Sequence, residues 1–175
     1  FPNAKWTINP TEENLHGSNI LKVLIKGENQ KENLKFSLTS EQEIVIQLEE
    51  GKIIKYEIIN ENSILKSLGS KLDITIAIPE NVLTGEKYDA DIIINQPLKN
   101  NFLAGGLIIT NKKALSKESM PYINLYPLNA GGIFKSIHAP LKEGRQIIAS
   151  LLVHPEGIIS VTQSVNVVSE IDWLI

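Results

Sequence analysis

The 175-residue sequence contains no cysteine, which excludes disulfide bonds, thiolate metal sites and thiol catalysis. No apolar run approaches the roughly 18 residues that a membrane-spanning helix needs, so no membrane span is expected within this chain. Aromatic residues make up only 6% of the chain, with 2 Trp, 4 Tyr and 4 Phe. That supply is thin for a carbohydrate-binding platform, which usually presents exposed aromatic rings beside carboxylates.

Positive charge is also scarce, because 17 Lys and Arg face 20 Asp and Glu, giving a net charge of −3. Arg145 is the only arginine. A nucleic-acid partner would demand a basic face, and this balance argues against one. The apolar fraction of 42% is typical of a globular chain.

The sequence lacks the common motifs of enzymes and cofactor-binding proteins. The sequence has no Gly-x-Ser-x-Gly elbow, no glycine-rich phosphate loop, no dinucleotide fingerprint and no His-Glu-x-x-His. The three histidines, His16, His138 and His154, are too scattered for a local zinc site. The sequence therefore nominates no catalytic residue, no metal ligand and no cofactor.

Isoleucine is abundant, and apolar residues alternate with a period of two rather than 3.6, which predicts strands. A hairpin is predicted over 43–59, with its turn at 49–52 containing Gly51. Seven more strands are predicted at regular spacing, at 72–78, 87–94, 102–110, 122–126, 133–138, 146–153 and 158–168. Short strands separated by Gly, Pro and Asn turns are typical of a β-sandwich or barrel.

These segments predict an organisation in three parts. Residues 1–17, with two prolines and no periodicity, are expected to form an extended leader. Residues 18–69 are expected to form a small β-rich unit, in which 63–68 could make one helical turn. Residues 70–175 are expected to form the sandwich.

Two segments carry a resemblance to a known fold. Residues 82–92 resemble the passage from strand A to strand B of immunoglobulin-like domains, where a Gly turn precedes an alternating strand. Residues 141–147 are similar to the E-to-F corner of immunoglobulin and fibronectin-type sandwiches, where Leu141 would pack inward and Gly144 would make the bend. The resemblance covers 71–169, lacks the Cys pair and the core Trp, and has Ile147 in place of the corner Tyr.

This resemblance implies an all-β fold: an antiparallel immunoglobulin-like β-sandwich with a smaller N-terminal β-rich unit. It also implies a scaffold used for adhesion, spacing or binding outside the cytoplasm. Within it, Asp89 and Asp91 are expected on one face of a strand, as a solvated face or as part of a Ca²⁺ site. Tyr88, Ala90, Ile92 and Ile94 would then face the core.

Candidate partner-binding residues fall into three groups. Two adjacent glycines occur at 105–106 in a predicted strand and again at 131–132. Such a pair marks either a bend or a close approach by another chain. A long loop on a sandwich often carries recognition, and exposed tyrosines next to it would add aromatic contacts. The candidates are Gly105 and Gly106, the loop lysines Lys112, Lys113 and Lys117, and Tyr122 and Tyr126.

The expected function is a non-catalytic protein-binding or structural module of a bacterial cell envelope or another extracytoplasmic site, with another protein as its partner. The alternatives are a carbohydrate- or small-ligand-binding β domain, an enzyme, and a subunit that polymerises through its edge strands. The sequence begins at Phe1 rather than Met. Either an upstream signal peptide or anchor, or a boundary cut into a longer chain, would account for that.

Overall fold

A computed structural model describes residues 1–15, 18–111 and 122–169. Strands make up all of its regular secondary structure, and no helix occurs among these residues, which confirms the all-β prediction. None of the described residues therefore forms a helix with the length and hydrophobicity that crossing a bilayer would need. The chain forms two compact units, Phe1–Leu68 and Gly69–Ile175.

The first unit is an antiparallel meander of four long strands in the order β1-β2-β3-β4. The strands are β1 (Lys5–Leu15), β2 (Ser18–Lys31), β3 (Leu34–Glu49) and β4 (Lys52–Ser67). Within 1–17, where a leader is expected, β1 instead pairs with β2. Pro10 obscures this strand in the sequence, but β1 lies at the end of the sheet order, where proline is tolerated. The helical turn expected at 63–68 is wrong, because β4 continues through it to Ser67.

The hairpin predicted over 43–59 is confirmed as β3 and β4. Glu49 pairs with Lys52, so the turn contains only Glu50 and Gly51. Both have positive φ, at 50° and 76°, as a two-residue type I′ turn requires. The register shifts at two places, which leaves Ile54 and Ile59 of β4 without a partner residue in β3.

Because Glu50 has a left-handed backbone that glycine and asparagine tolerate better, Glu50→Asn is expected to stabilise this hairpin. The expected gain is roughly 0.5–1 kcal/mol in the free energy of unfolding. Urea denaturation followed by the amide NMR signals of β3 and β4 measures it. Glu49→Asn, the same change at an ordinary strand position, is the control. An equal gain in the control would contradict the turn assignment.

The second unit consists of two sheets. In the larger one, β12 (Gly157–Val168), β11 (Gly144–His154), β8 (Ala104–Thr110) and β9 (Tyr126–Pro127) are neighbours in that order, and β6 (Asn81–Leu83) pairs in parallel with the end of β12. The smaller sheet has the order β10-β7-β5, from β10 (Gly132–His138), β7 (Lys87–Ile94) and β5 (Ile74–Ala77). Except for β6, every pairing is antiparallel.

Side chains from both sheets close one hydrophobic core in the second unit. Tyr88 and Ala90 of β7 cluster with Ile148 of β11 and Val165 of β12. The Tyr88 hydroxyl donates a hydrogen bond to Oε1 of Gln146 at 3.0 Å, which ties the smaller sheet to the larger one. Burial raises the pKa of Tyr88, because it penalises the phenolate. The two sheets therefore form a sandwich-like fold.

The expected alternation along β7 is confirmed. Tyr88, Ala90, Ile92 and Ile94 are buried. Asp89 and Asp91 pair on the sheet with Ser136 and Phe134 of β10. The hydroxyl of Ser136 donates to Oδ1 of Asp89 at 2.7 Å, so the carboxylate has a partner on this outer face.

The expected inward packing of Leu141 is wrong, because its side chain is 88% exposed. Ala139 occupies the inward position instead and is buried, and its backbone N–H donates to the carbonyl of Glu86 at 2.8 Å. Pro140 follows and its carbonyl accepts from the N–H of Gly85 at 3.0 Å. Leu141 therefore lies over Gly85 on the surface rather than in the core.

The end of β12 is held by Glu143, whose carboxylate accepts a hydrogen bond from the backbone N–H of Ser169 at 2.8 Å. Hydrogen bonds from the side chain and the backbone of Ser169 lower the pKa of Glu143. A lowered pKa in the folded state stabilises the protein above the unfolded-state pKa. That stabilisation is lost as the pH falls through the folded-state pKa.

Ser169→Ala is therefore expected to raise the pKa of Glu143 part of the way to its usual value, since the backbone bond remains. A carbon-detected NMR titration of the Glu143 carboxyl measures the change. Ser136→Ala, which removes a hydroxyl from the other sheet, is the control and leaves the Glu143 titration unchanged. Superimposable titrations of the wild type and Ser169→Ala would contradict the contact.

Candidate functional site

A groove of about 300 Å³ lies in the second unit where β8 of the larger sheet and β10 of the smaller sheet come close. We call it the edge groove. Its lining includes Gly105, Gly106, Tyr126, Leu128, Ile133 and Lys135. The floor is backbone and aliphatic side chain, and its polar groups include a phenol and an ammonium group.

The tandem glycines of β8 explain how the groove is built. A Cβ on Gly106 would coincide with the backbone oxygen of Asn124. A Cβ on Gly105 would meet side-chain atoms of Leu128 and Leu152 at 2.7 and 2.8 Å. The close approach that the sequence indicated at these glycines is therefore made by the chain's own segment, which crosses β8 before it reaches β10.

The second glycine pair, Gly131 and Gly132, allows a similar close approach at the start of β10. Gly131 has a φ of +78°, so it makes the turn that leads into the strand. A Cβ on Gly132 would lie 2.5 Å from the carbonyl oxygen of Ile92 in β7. These glycines hold β10 tightly against β7 and fix the wall of the groove that carries Lys135.

Both strands beside the groove have edges that the described chain leaves largely unpaired. β10 is the terminal strand of the smaller sheet. β9 covers β8 at only two positions, through the pairs Ala104–Pro127 and Gly105–Tyr126. Leu128 extends this cover by donating its backbone N–H to the carbonyl of Leu103 at 2.8 Å. An unpaired strand edge presents backbone donors and acceptors to another chain.

Both predicted tyrosines are exposed, but of the two only Tyr126 lines the groove. Tyr126 lines the groove and is 61% exposed, and Tyr122, four residues earlier, is also exposed. Lys135 comes from the other wall and is exposed as well. The predicted loop lysines Lys112, Lys113 and Lys117 lie outside the described residues.

Sequence reasoning did not nominate Lys135, Leu128 or Asn124. Lys135 lies between the buried Ile133 and Ile137, so period-two alternation assigns it to the inward face. A charged side chain such as Lys135 at an inward position of a strand is unusual, and this would have indicated a functional residue. Leu128 and Asn124 carried no signal, since their place depends on how the segment folds back over β8.

The titratable groups of the described residues do not assemble into a metal-binding cluster of three or more His, Asp or Glu side chains. His138 ends β10 and His154 ends β11. Nδ1 of the buried His154 accepts a hydrogen bond from the backbone N–H of Glu156 at 3.1 Å, which caps the tight turn between β11 and β12. The contacts of His154 are thus those of a structural histidine.

The model of a protein family described as a domain of unknown function, DUF8623, matches residues 69–168. The chain belongs to the DUF8623 family. A comparison with curated proteins found no match. The DUF8623 segment begins at the first residue of the second unit and ends at the last residue of β12. The edge groove, with both of its flanking strands, therefore lies wholly within the DUF8623 part of the chain.

Proposed function

We propose that this chain is a non-catalytic protein-binding module that takes an extended segment of another protein along the edge groove. The observation that carries the proposal is the meeting of two strand edges, β8 and β10, across a groove with a glycine floor. An extended peptide can add to a sheet edge through main-chain hydrogen bonds, while pockets beside the edge select alternate side chains.

The chemistry of the groove defines the segment that would fit. Leu128 and Ile133 offer aliphatic contact to one small apolar side chain. Lys135 offers a positive charge to an acidic residue, and Tyr126 offers a ring face and a hydroxyl. A partner segment with an apolar residue and an acidic residue two positions apart would place both side chains on the groove side of the added strand.

We also propose that the sandwich has immunoglobulin-like topology. Immunoglobulin domains place strands A, B and E in one sheet and strands C, F and G in the other. The order β5-β7-β10 supports the first set, and the neighbours β8, β11 and β12 support the second. The Gly85 turn before β7, with a φ of +74°, supports the A-to-B resemblance.

The proposed place of action is the cell envelope or another extracytoplasmic site. Support comes from the immunoglobulin-like scaffold, which is commonly used outside the cytoplasm. Fractionation of source cells that carry the tagged full-length protein tests it. Recovery in the envelope, periplasmic or culture fraction is the expected result, and recovery with the cytosolic proteins would contradict it.

The binding proposal is tested by site-specific photo-crosslinking in source cells. Tyr126→p-benzoylphenylalanine places the reactive group in the edge groove, and Leu141→p-benzoylphenylalanine places it on an exposed site outside the groove. We expect a discrete crosslinked protein at the first position and none at the second. Mass spectrometry of the crosslinked peptide should identify an extended segment with an acidic residue.

A pair of charge reversals makes this experiment decisive. Lys135→Glu should reduce the crosslink at Tyr126 by at least about fivefold, since it replaces attraction to an acidic residue with repulsion. Lys87→Glu, the same change on the neighbouring strand β7, should leave the crosslink unchanged. Equal crosslinking at positions 126 and 141, or no effect of Lys135→Glu, would overturn the proposal.

A further inference from the structure

We infer that the second unit has a separate binding site for a small oxyanion, a carboxylate or a phosphate group, centred on Arg145. The side chain lines a cleft of about 530 Å³, together with residues that include Thr110, Lys142, Glu143 and Gln146. We call it the end cleft. Its volume lies within the range of small-molecule sites. None of its lining residues lines the edge groove.

Arg145 is placed at the beginning of β11, where it pairs with Asn166 of β12. Its side chain is partly buried, and the Nε atom is fully buried without a hydrogen-bond partner in the part of the chain that the structure describes. A buried donor without an acceptor is costly, and more so on a charged group. Because Nε is closed to a ligand, an anion that enters the cleft would pair with the two terminal nitrogens of the guanidinium.

Among the described residues, Glu143 is the one carboxylate that lines the cleft, and Ser169 rather than Arg145 is its hydrogen-bond partner. Glu143 accepts hydrogen bonds from the backbone and the side chain of Ser169. Lys142 adds a second positive charge to the lining. The described lining of the cleft therefore carries two positive charges and one negative charge, which leaves a positive excess of one.

The side-chain amide of Gln146, which also lines the cleft, is held in one orientation. Oε1 of Gln146 accepts the hydrogen bond of the Tyr88 hydroxyl, so the amide NH₂ is the part of Gln146 that can donate to a ligand. The planar guanidinium fork matches a carboxylate with two parallel hydrogen bonds, a geometry that an ammonium group cannot supply. The same fork pairs with the oxygens of a phosphate, so the chemistry of the cleft favours an oxyanion of either kind.

The test is an NMR titration of the full chain at constant ionic strength with three probes. Succinate supplies a small carboxylate, succinamide is its neutral analogue, and inorganic phosphate is an oxyanion of different geometry. We expect succinate to shift the amide signals of 144–146 and the Nε–H signal of Arg145 in a saturable way. Succinamide should cause no shift. Phosphate should also saturate, because the guanidinium fork pairs with phosphate as well as with carboxylate, and the ratio of the two dissociation constants tells which oxyanion the cleft prefers.

Arg145→Lys keeps the charge and removes the fork, and it should weaken succinate binding about tenfold because charge-assisted hydrogen bonds are lost. Arg145→Gln should abolish saturation. Lys87→Gln removes one positive charge from the exposed face of β7, outside both the end cleft and the edge groove, and should keep the succinate dissociation constant within about twofold. The amide spectrum of each variant confirms that it is folded.

Several outcomes would overturn the inference. They are an unsaturable response to both succinate and phosphate, an equal response to succinamide, unchanged binding in Arg145→Lys, and an equal loss in Lys87→Gln. The last outcome would assign the binding to overall charge rather than to the end cleft. None of these results bears on the edge groove, so the two proposals stand or fall separately.

Discussion

Replacing Leu152 by Ala is expected to lower the free energy of unfolding by about 2–5 kcal/mol. Leu152 lies near the end of β11 and is 0% exposed. Its side chain also comes close to Gly105, where a Cβ would lie 2.8 Å from a Leu152 methyl. Removal of the side chain loses buried apolar area and leaves a cavity that a strand held on both sides cannot collapse.

Leu141→Ala is the matched control, since it makes the same chemical change on a side chain that is largely exposed. We expect a change within about 0.5 kcal/mol. Urea denaturation of both variants, followed by circular dichroism, measures the difference. Equal losses at the two positions would contradict both the burial of Leu152 and the surface position of Leu141.

Gly106→Ala is expected to cost about 1–3 kcal/mol, although it adds a single methyl group. The added Cβ would coincide with the backbone oxygen of Asn124, and backbone cannot rotate away as a side chain can. The segment around Asn124, which crosses β8, must therefore move away from the strand. Hydrogen exchange at the N–H of Leu128, which donates to Leu103, should become faster.

Gly27→Ala in β2 is the control for this prediction. The nearest neighbours of a Cβ on Gly27 would be the Cβ atoms of Ala4 and Phe1, at 3.1 and 3.2 Å, so a shift of a few tenths of an ångström at the start of the chain relieves the contact. The free energy of unfolding should change by less than about 0.5 kcal/mol. A neutral Gly106→Ala variant with unchanged exchange at Leu128 would refute the close approach.

Strands with strict alternation could be predicted from the sequence, because burial on one face leaves a period-two signal. The strand predicted at 87–94 is β7 with the same bounds, and 158–168 differs from β12 by one residue. β6 is missed because it has three residues and follows a Pro-Glu pair that predicts a turn. Its pairing depends on the distant end of β12, at Val168, and local sequence cannot show that.

The strand predicted at 122–126 is largely wrong, since only Tyr126 belongs to β9. The segment is held by its crossing over Gly106, so its course follows tertiary packing rather than propensity. The candidate site could be predicted only in part, because tertiary packing brings its residues together from separate segments. Gly105 and Tyr126 gave a local signal, whereas Lys135 joins them only through the approach of β10 to β8.

Arg145 illustrates a different limit. The sequence singled it out only by its rarity, which codon usage explains equally well. Its significance comes from the end cleft and from a buried Nε that has no partner in the described chain. Neither property can be derived from residue order, because both depend on the end of β8 lying beside the beginning of β11.

The measurement that tests the two-sheet core most directly is the set of NMR distance restraints between the Tyr88 ring and β11. The fold predicts strong contacts of the ring protons with the Gln146 side chain, to which the Tyr88 hydroxyl donates at 3.0 Å, and with the Ile148 methyl groups of the same core cluster. Strand-like chemical shifts in β7 and β11 without any of these contacts would contradict the sandwich.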